Sequence, residues 1–177
     1  FSTAAVENNP PVPAIEGLES LDILLVDGQL ISDVQSISLP AGLSLSTANN
    51  LSQSSQAWAK NAFTGVKPQK HLFGLVNDVL AGDVLVIEVA EGAQIEQPIR
   101  IIHLSQSGNE GHCRVLMNVG AKAKATVIEQ FHSQEGEEKS FVTGFSEFQI
   151  QADAVLEHYR FELQQSAALS SGGCHFS

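Results

Sequence analysis

The chain has 177 residues, of which 43% are apolar and 16% charged, and its formal net charge is −11 at pH 7. That length and balance suit one globular domain with a real core and exclude a disordered chain. So acidic a surface is repelled by phosphate backbones and by anionic lipid, which argues against nucleic-acid binding and membrane adsorption, and no apolar run approaches the roughly 20 residues of a membrane span.

In chain order, residues 1–20 read as an extended linker or arm. Asn8-Asn9-Pro10-Pro11-Val12-Pro13 blocks helix formation there, because each proline fixes φ and disfavours helix in the residue before it. Residues 21–177 read as the body. Ile23-Leu24-Leu25-Val26 is a buried-strand run, Asp27-Gly28 signals a tight turn, and Leu30-Ile31 resumes a strand. The segment from Ile37 to Leu45 parallels that from Ile87 to Ile95: each has two apolar positions two apart, a small-residue turn with glycine, and a strand restart.

A helical insertion is expected over about 49–81. Its first part, Leu51 to Phe63, is polar and reads as a weak helix or loop, with Trp58 and Phe63 as the residues that would pin it. The second part is clearer. Leu72, Leu75, Val76, Val79 and Leu80 form a helical stripe that predicts packing against the β-body, and Gly82 follows where a helix end favours a left-handed residue.

From Val84 to Leu163 the chain reads as strand after strand: 84–89, 95–104, 113–119, 123–131, 141–151 and 155–163. All are rich in Val, Ile, Phe or Thr, and several alternate with period two. Turn markers at Gly92, Gly120 and Ala152 are 28 and 32 residues apart, a spacing in the range of solenoid repeats. The connections are too short for helical crossovers, which argues against a doubly wound α/β sheet. Periodicity leaves a β-helix and an antiparallel sandwich equally open. The loop from Ser133 to Lys139 is acidic but lacks the alternate ligand spacing of a calcium loop, and reads as a solvated turn.

The opening Phe1-Ser2-Thr3-Ala4-Ala5-Val6 has no basic region and no apolar core, and there are only two cysteines. A reduced, cytoplasmic setting is expected. The chain starts without Met and stops just after a strand-like segment, so a piece of a longer protein is expected.

Candidate chemistry gathers around cysteine and histidine. The pairs His112-Cys113 and Cys174-His175 could offer thiolate and imidazole to iron or zinc, or form a nucleophile and base. Neighbours on a strand point to opposite faces, so neither pair converges well on one metal. Cys113 is expected in the core beside Val115 and Met117. Cys174 and His175 stand as candidate metal ligands, and His103, His132 and His158 could meet if the fold brings their strands together. No His-x-His pair of a cupin, Gly-x-Ser-x-Gly elbow or phosphate-binding glycine loop occurs. A β-helix or cupin-like enzyme acting on a small molecule or carbohydrate remains an alternative. Glu129, Glu147, Glu157 and Glu162 are its available acids, but one Trp and one Tyr make a poor sugar platform.

Several words in order resemble the SufB/SufD family of iron–sulfur cluster assembly proteins. They are Phe73-x-x-x-Asn77, the run from Gly82 to Val89 followed by Gly92 and Glu96-x-Pro98-Ile99, the run Asn118-Val119-Gly120-Ala121-x-Ala123-x-Ala125-x-Val127-Ile128-Glu129, and the run from Ala152 to Arg160. The likeness spans about Leu21 to Leu163, and Val26-Asp27-Gly28 brings it nearer to SufD than to SufB. It implies an all-β body, a right-handed parallel β-helix (solenoid) with a short helical insertion. It also implies a non-enzymatic scaffold working with SufB-like and SufC-like proteins, the latter an ATPase. The iron–sulfur cluster would belong to the full assembly complex, with no cofactor bound by this segment. In the family the cluster-related Cys and His positions lie beyond the point matching Ser177, so no functional residue carries over, and Cys174 and His175 are not matched to that site. Open strand edges would accept a SufB-like partner or a second copy of this chain.

Overall fold

The computed structural model describes residues 14–62, 72–136 and 138–177. Most of the expected N-terminal arm, the proposed pin Phe63 and the loop residue Glu137 lie outside these. The elements are β1 (Leu21–Val26), β2 (Gln29–Leu30), β3 (Leu43–Thr47), α1 (Gln53–Ala62), α2 (Leu72–Leu80), β4 (Val84–Val89), β5 (Ile99–Ser105), β6 (Glu110–Val119), β7 (Lys124–Ser133), β8 (Ser140–Ile150), β9 (Val155–Leu163) and β10 (Ala168–Phe176). They form two five-stranded sheets, ordered β2-β1-β5-β7-β9 and β10-β8-β6-β4-β3.

This corrects the expectation of an all-β, right-handed parallel β-helix. The described residues form a sandwich of two mixed sheets with two α-helices, and each sheet ends in an antiparallel pair, β1 with β2 and β3 with β4. The causes are local. Asp27 and Gly28 both take positive φ, 47° and 81°, the geometry of a tight hairpin turn that folds β2 back on β1. The insertion carrying α1 and α2 then separates β3 from β4, and the chain returns with β4 running against β3.

From β4 onward, consecutive strands alternate between the sheets, and strands two apart pair in parallel. A strand in the opposite sheet thus does the work of a helical crossover. The repeated turns are real, although their register differs from the marker spacing. Gly42, Gly92, Lys122 and Asp153 occupy equivalent left-handed positions, and the last three are 30 and 31 residues apart. Each turn closes with the same backbone bond, from Leu43, Ala93, Ala123 and Ala154 to the carbonyls of Pro40, Ala90, Gly120 and Gln151.

The core lies between the sheets. Leu21, Ile23, Leu25, Ile99, Ile101 and Val127 from one sheet meet Leu85, Ile87, Val89, Val115, Met117 and Phe148 from the other. Both helices cover the outer face of the β4–β6–β8 sheet. Ala59 of α1 packs with Val84, Val86 and Leu116, and the Trp58 indole donates to Glu88, 3.0 Å away. Helix α2 has the expected bounds but turns the other way. Gly74 and Asn77 are its buried residues, while Leu72 and Val79 of the apolar stripe are 70% and 80% exposed. Hydrogen bonds from Asn77 and the ion pair of Asp78 with Arg114 dictate that orientation. Among the described residues no helix is long and apolar enough to cross a membrane.

Candidate functional site

Parallel, in-register pairing stacks like positions of successive strands into inward-facing rows. In the first sheet one row runs Leu21, Ile99, Val127, His158, and the next runs Ile23, Ile101, Glu129, Arg160. In the facing sheet a row runs Leu85, Val115, Ser146, Cys174, beside Ile87, Met117, Phe148, Phe176. Each row begins aliphatic, and three of the four become polar toward the β9–β10 end. Polar residues on an inward face need partners, because an unpaired buried polar group costs on the order of 1–3 kcal/mol.

Glu129 is the centre of this polar end and is fully buried. Ser146 donates to its Oε1 at 2.5 Å, and His103 Nε2 approaches the same oxygen at 3.4 Å. Its Oε2 faces His158 Nε2 at 2.9 Å, the Cys174 thiol at 3.9 Å and an Arg160 Nη1 at 3.9 Å. Arg160 also lies 3.7 Å from Cys174 Sγ and donates to the Gly144 carbonyl, with its guanidinium carbon 4.1 Å from the Phe131 ring centre. Glycine at 144 and 172 leaves room for this: a Cβ on Gly144 would meet the Phe131 ring, and one on Gly172 would meet the Gly144 carbonyl and Arg160. The His158 ring packs on Phe148 and Phe176 at 4.7 and 5.7 Å.

The electrostatics follow from this packing. Burial alone would favour a protonated Glu129, but hydrogen bonds from His103, His158 and Ser146 outweigh it and hold the carboxylate well below its usual range. Burial likewise opposes a charge on His103, yet Cys113 and Glu129 beside it push it up to about 9. Burial and the nearby Glu129 charge raise the Cys174 thiol, against the pull of Arg160. The half-buried guanidinium is held charged by Glu129, Cys174 and Glu162, against the cost of its desolvation.

Of the sequence candidates, Cys174, His103 and His158 come together here. His175 does not, because it alternates to the opposite face from Cys174 and is exposed. His132 pairs with Leu104 on the outward face, away from the centre. Cys113 is buried in the core as expected, while His112 turns outward to Thr143 and Glu110. In the sequence Glu129 stands only as an available acid of an enzyme, whereas the alternation Ala125, Val127, Glu129, Phe131 assigns it to the apolar face. That alternation is the signal that reveals it. Ser146 and Arg160 carried no signal of their own, since their place depends on register with β6, β7 and β10.

Among the described residues, Glu129, His158 and Cys174 bring one ligand atom each to within 4.8 Å of one another. A carboxylate, an imidazole and a thiol at that separation can share an ion, relay a proton, or support a thiol nucleophile. No protein-family model matches the chain, and no curated protein matches it.

Proposed function

We propose that this chain is a scaffold component of SufB/SufD type, acting in the cytoplasm with a SufB-like protein and a SufC-like ATPase where iron–sulfur clusters are assembled. It is not an enzyme in this reading, and the cluster is cargo of the full complex. The observation that carries the reading is where the family-like words fall. Gly92, Gly120-Ala121 and Ala152-Asp153 form the equivalent turns, and the runs that follow them supply the inward rows. The reading does not rest on a solenoid architecture, which the two mixed sheets replace.

Two further features support it. The edge strands β9 and β10 carry exposed Tyr159, Phe161, Leu163, Leu169 and Phe176, and unpaired edges with apolar side chains accept another chain. That edge suits a SufB-like partner, or a second copy in isolation. The inward groups at the same end are a thiol, an imidazole and a carboxylate, ligand types that iron accepts.

One observation favours a second reading. Two of the three candidate histidines converge on Glu129 beside a cysteine, as a site for small-molecule chemistry would require. Affinity capture of the full-length protein from its own cells separates the two. Recovery of a SufB-like chain and a small ATPase supports the scaffold; recovery of neither, with the protein alone and monomeric, removes it in favour of the enzyme.

A further inference from the structure

We propose that Glu129, His158 and Cys174 form a binding site for one divalent transition-metal ion of the zinc or ferrous class. The three ligand atoms come from three strands in both sheets and lie within 4.8 Å of one another. They are residues 29 and 45 apart from Glu129 in sequence, so only the stacked register unites them. A set of one oxygen, one nitrogen and one sulfur suits borderline-soft ions. It does not suit calcium or magnesium, which take oxygen shells.

The surroundings are organised as a ligand set requires. Ser146 and His103 both hold Oε1 of Glu129, so Oε2 is the oxygen turned to His158 and Cys174. Such outer partners fix the orientation of a ligating carboxylate. Phe148 and Phe176, stacked on each other, pack against the His158 ring at 4.7 and 5.7 Å. Three protein ligands leave a fourth tetrahedral position, the arrangement of exchangeable rather than structural sites. Arg160, 3.7 Å from Cys174 Sγ and anchored by Phe131 and the Gly144 carbonyl, favours an anion as the fourth ligand. The proposal stands on this geometry and not on the scaffold reading.

The test is a titration of the reduced, metal-free protein with Co²⁺ alone, followed by competition with Zn²⁺ alone. One equivalent of Co²⁺ is expected to bind with a thiolate-to-cobalt charge-transfer band, and Zn²⁺ is expected to erase it. Cys174→Ser should abolish the band, Ser146→Ala should weaken affinity about tenfold, and His175→Ala, on the exposed opposite face of β10, should leave both unchanged. A wild-type protein without the band, or a band that survives Cys174→Ser or vanishes with His175→Ala, overturns the site. X-ray absorption on the Zn²⁺-loaded wild-type protein requires no variant to fold. A single sulfur at about 2.3 Å among lighter neighbours supports the proposal, and a shell of nitrogen and oxygen alone refutes it.

Discussion

Arg160 stands opposite Glu129 in the parallel register of β9 on β7, and their charged ends are 3.9 Å apart in the interior between the sheets. The pair continues a row that begins with Ile23 and Ile101. An aliphatic row thus ends in an ion pair of a buried carboxylate and a half-buried guanidinium, with the carboxylate held by further donors on its other oxygen. Breaking one side of a buried pair is more damaging than replacing both, because the remaining charge stays desolvated. Arg160→Met is expected to lower stability by about 2–3 kcal/mol, less than a fully orphaned charge because His103 and His158 remain. Adding Glu129→Gln should recover part of that loss. A urea double-mutant cycle with additive effects would show that the two residues do not act on each other.

The space around Arg160 depends on glycine. A Cβ at Gly172 would strike the Gly144 backbone carbonyl and come within 2.8 Å of an Arg160 nitrogen. At Gly173, one residue on, the nearest atom would be Phe145 Cε1 at an ordinary 3.8 Å. Gly172→Ala is therefore expected to destabilise by about 1–3 kcal/mol as β10 is pushed from β8, and Gly173→Ala by less than about 0.5 kcal/mol. Hydrogen exchange along β10 should rise only in the first variant. Equal effects would mean that the close approach at Gly172 is not what fixes the strand.

The strands were legible because their residue types and alternation state the local answer. The span 155–163 agrees at both ends with β9, and the turns at Gly42 and Gly92 carry their glycine openly. Sheet order was less legible, since Asp27-Gly28 announces a hairpin without saying where β3 will pair. The site was least legible. Cys174 and His158 were visible as candidates, but their meeting requires Ser146 to lie beside Cys174 and Val127 beside His158. No local pattern encodes that register. The outward stripe of α2 has a similar cause: a tertiary bond network around Asn77 overrides the helix's own amphipathic signal.

That network gives the next prediction. The Asn77 amide donates to the carbonyls of Cys113 and Thr143 and to the Thr143 hydroxyl, and its oxygen faces Arg114 at 3.4 Å. With Leu72 and Val79 exposed, α2 depends on polar anchoring more than on burial. Asn77→Ala is expected to lose about 2–3 kcal/mol, because buried carbonyls lose their donor. Hydrogen exchange in α2 should rise well before the β4–β10 strands respond. Protection of α2 that stays level with the strands would show that packing holds the helix instead.

Beneath α2, Arg114 is fully buried between Asp78, 2.8 Å away, and Glu147. One guanidinium balances one carboxylate. Burial, assisted by the Asp78 charge and opposed by Arg114, raises Glu147 from 4.5 to about 7. A carboxyl with a raised folded pKa binds its proton more tightly in the fold. Its penalty is therefore absent below the unfolded value and fully developed above about 7, so stability falls across that window, by something on the order of 3 kcal/mol. His103 acts in the same direction at higher pH. Its folded pKa of about 9 exceeds the ordinary 6.5, so its contribution is complete below 6.5 and is lost as pH rises through 9. Glu129, held low, sets the acid limb: its contribution is present above the ordinary 4.5 and is lost as pH falls further. Relief of the −11 net charge toward lower pH adds to the trend. Maximum stability is expected near about pH 5, at the acid end of the range common for globular domains. Urea midpoints at several pH values should show Glu147→Gln flattening the slope between 4.5 and 7 while leaving the later decline in place. A Glu147→Gln profile that still falls through the lower window would assign that slope to other groups and leave Glu147 ionised against Arg114 throughout.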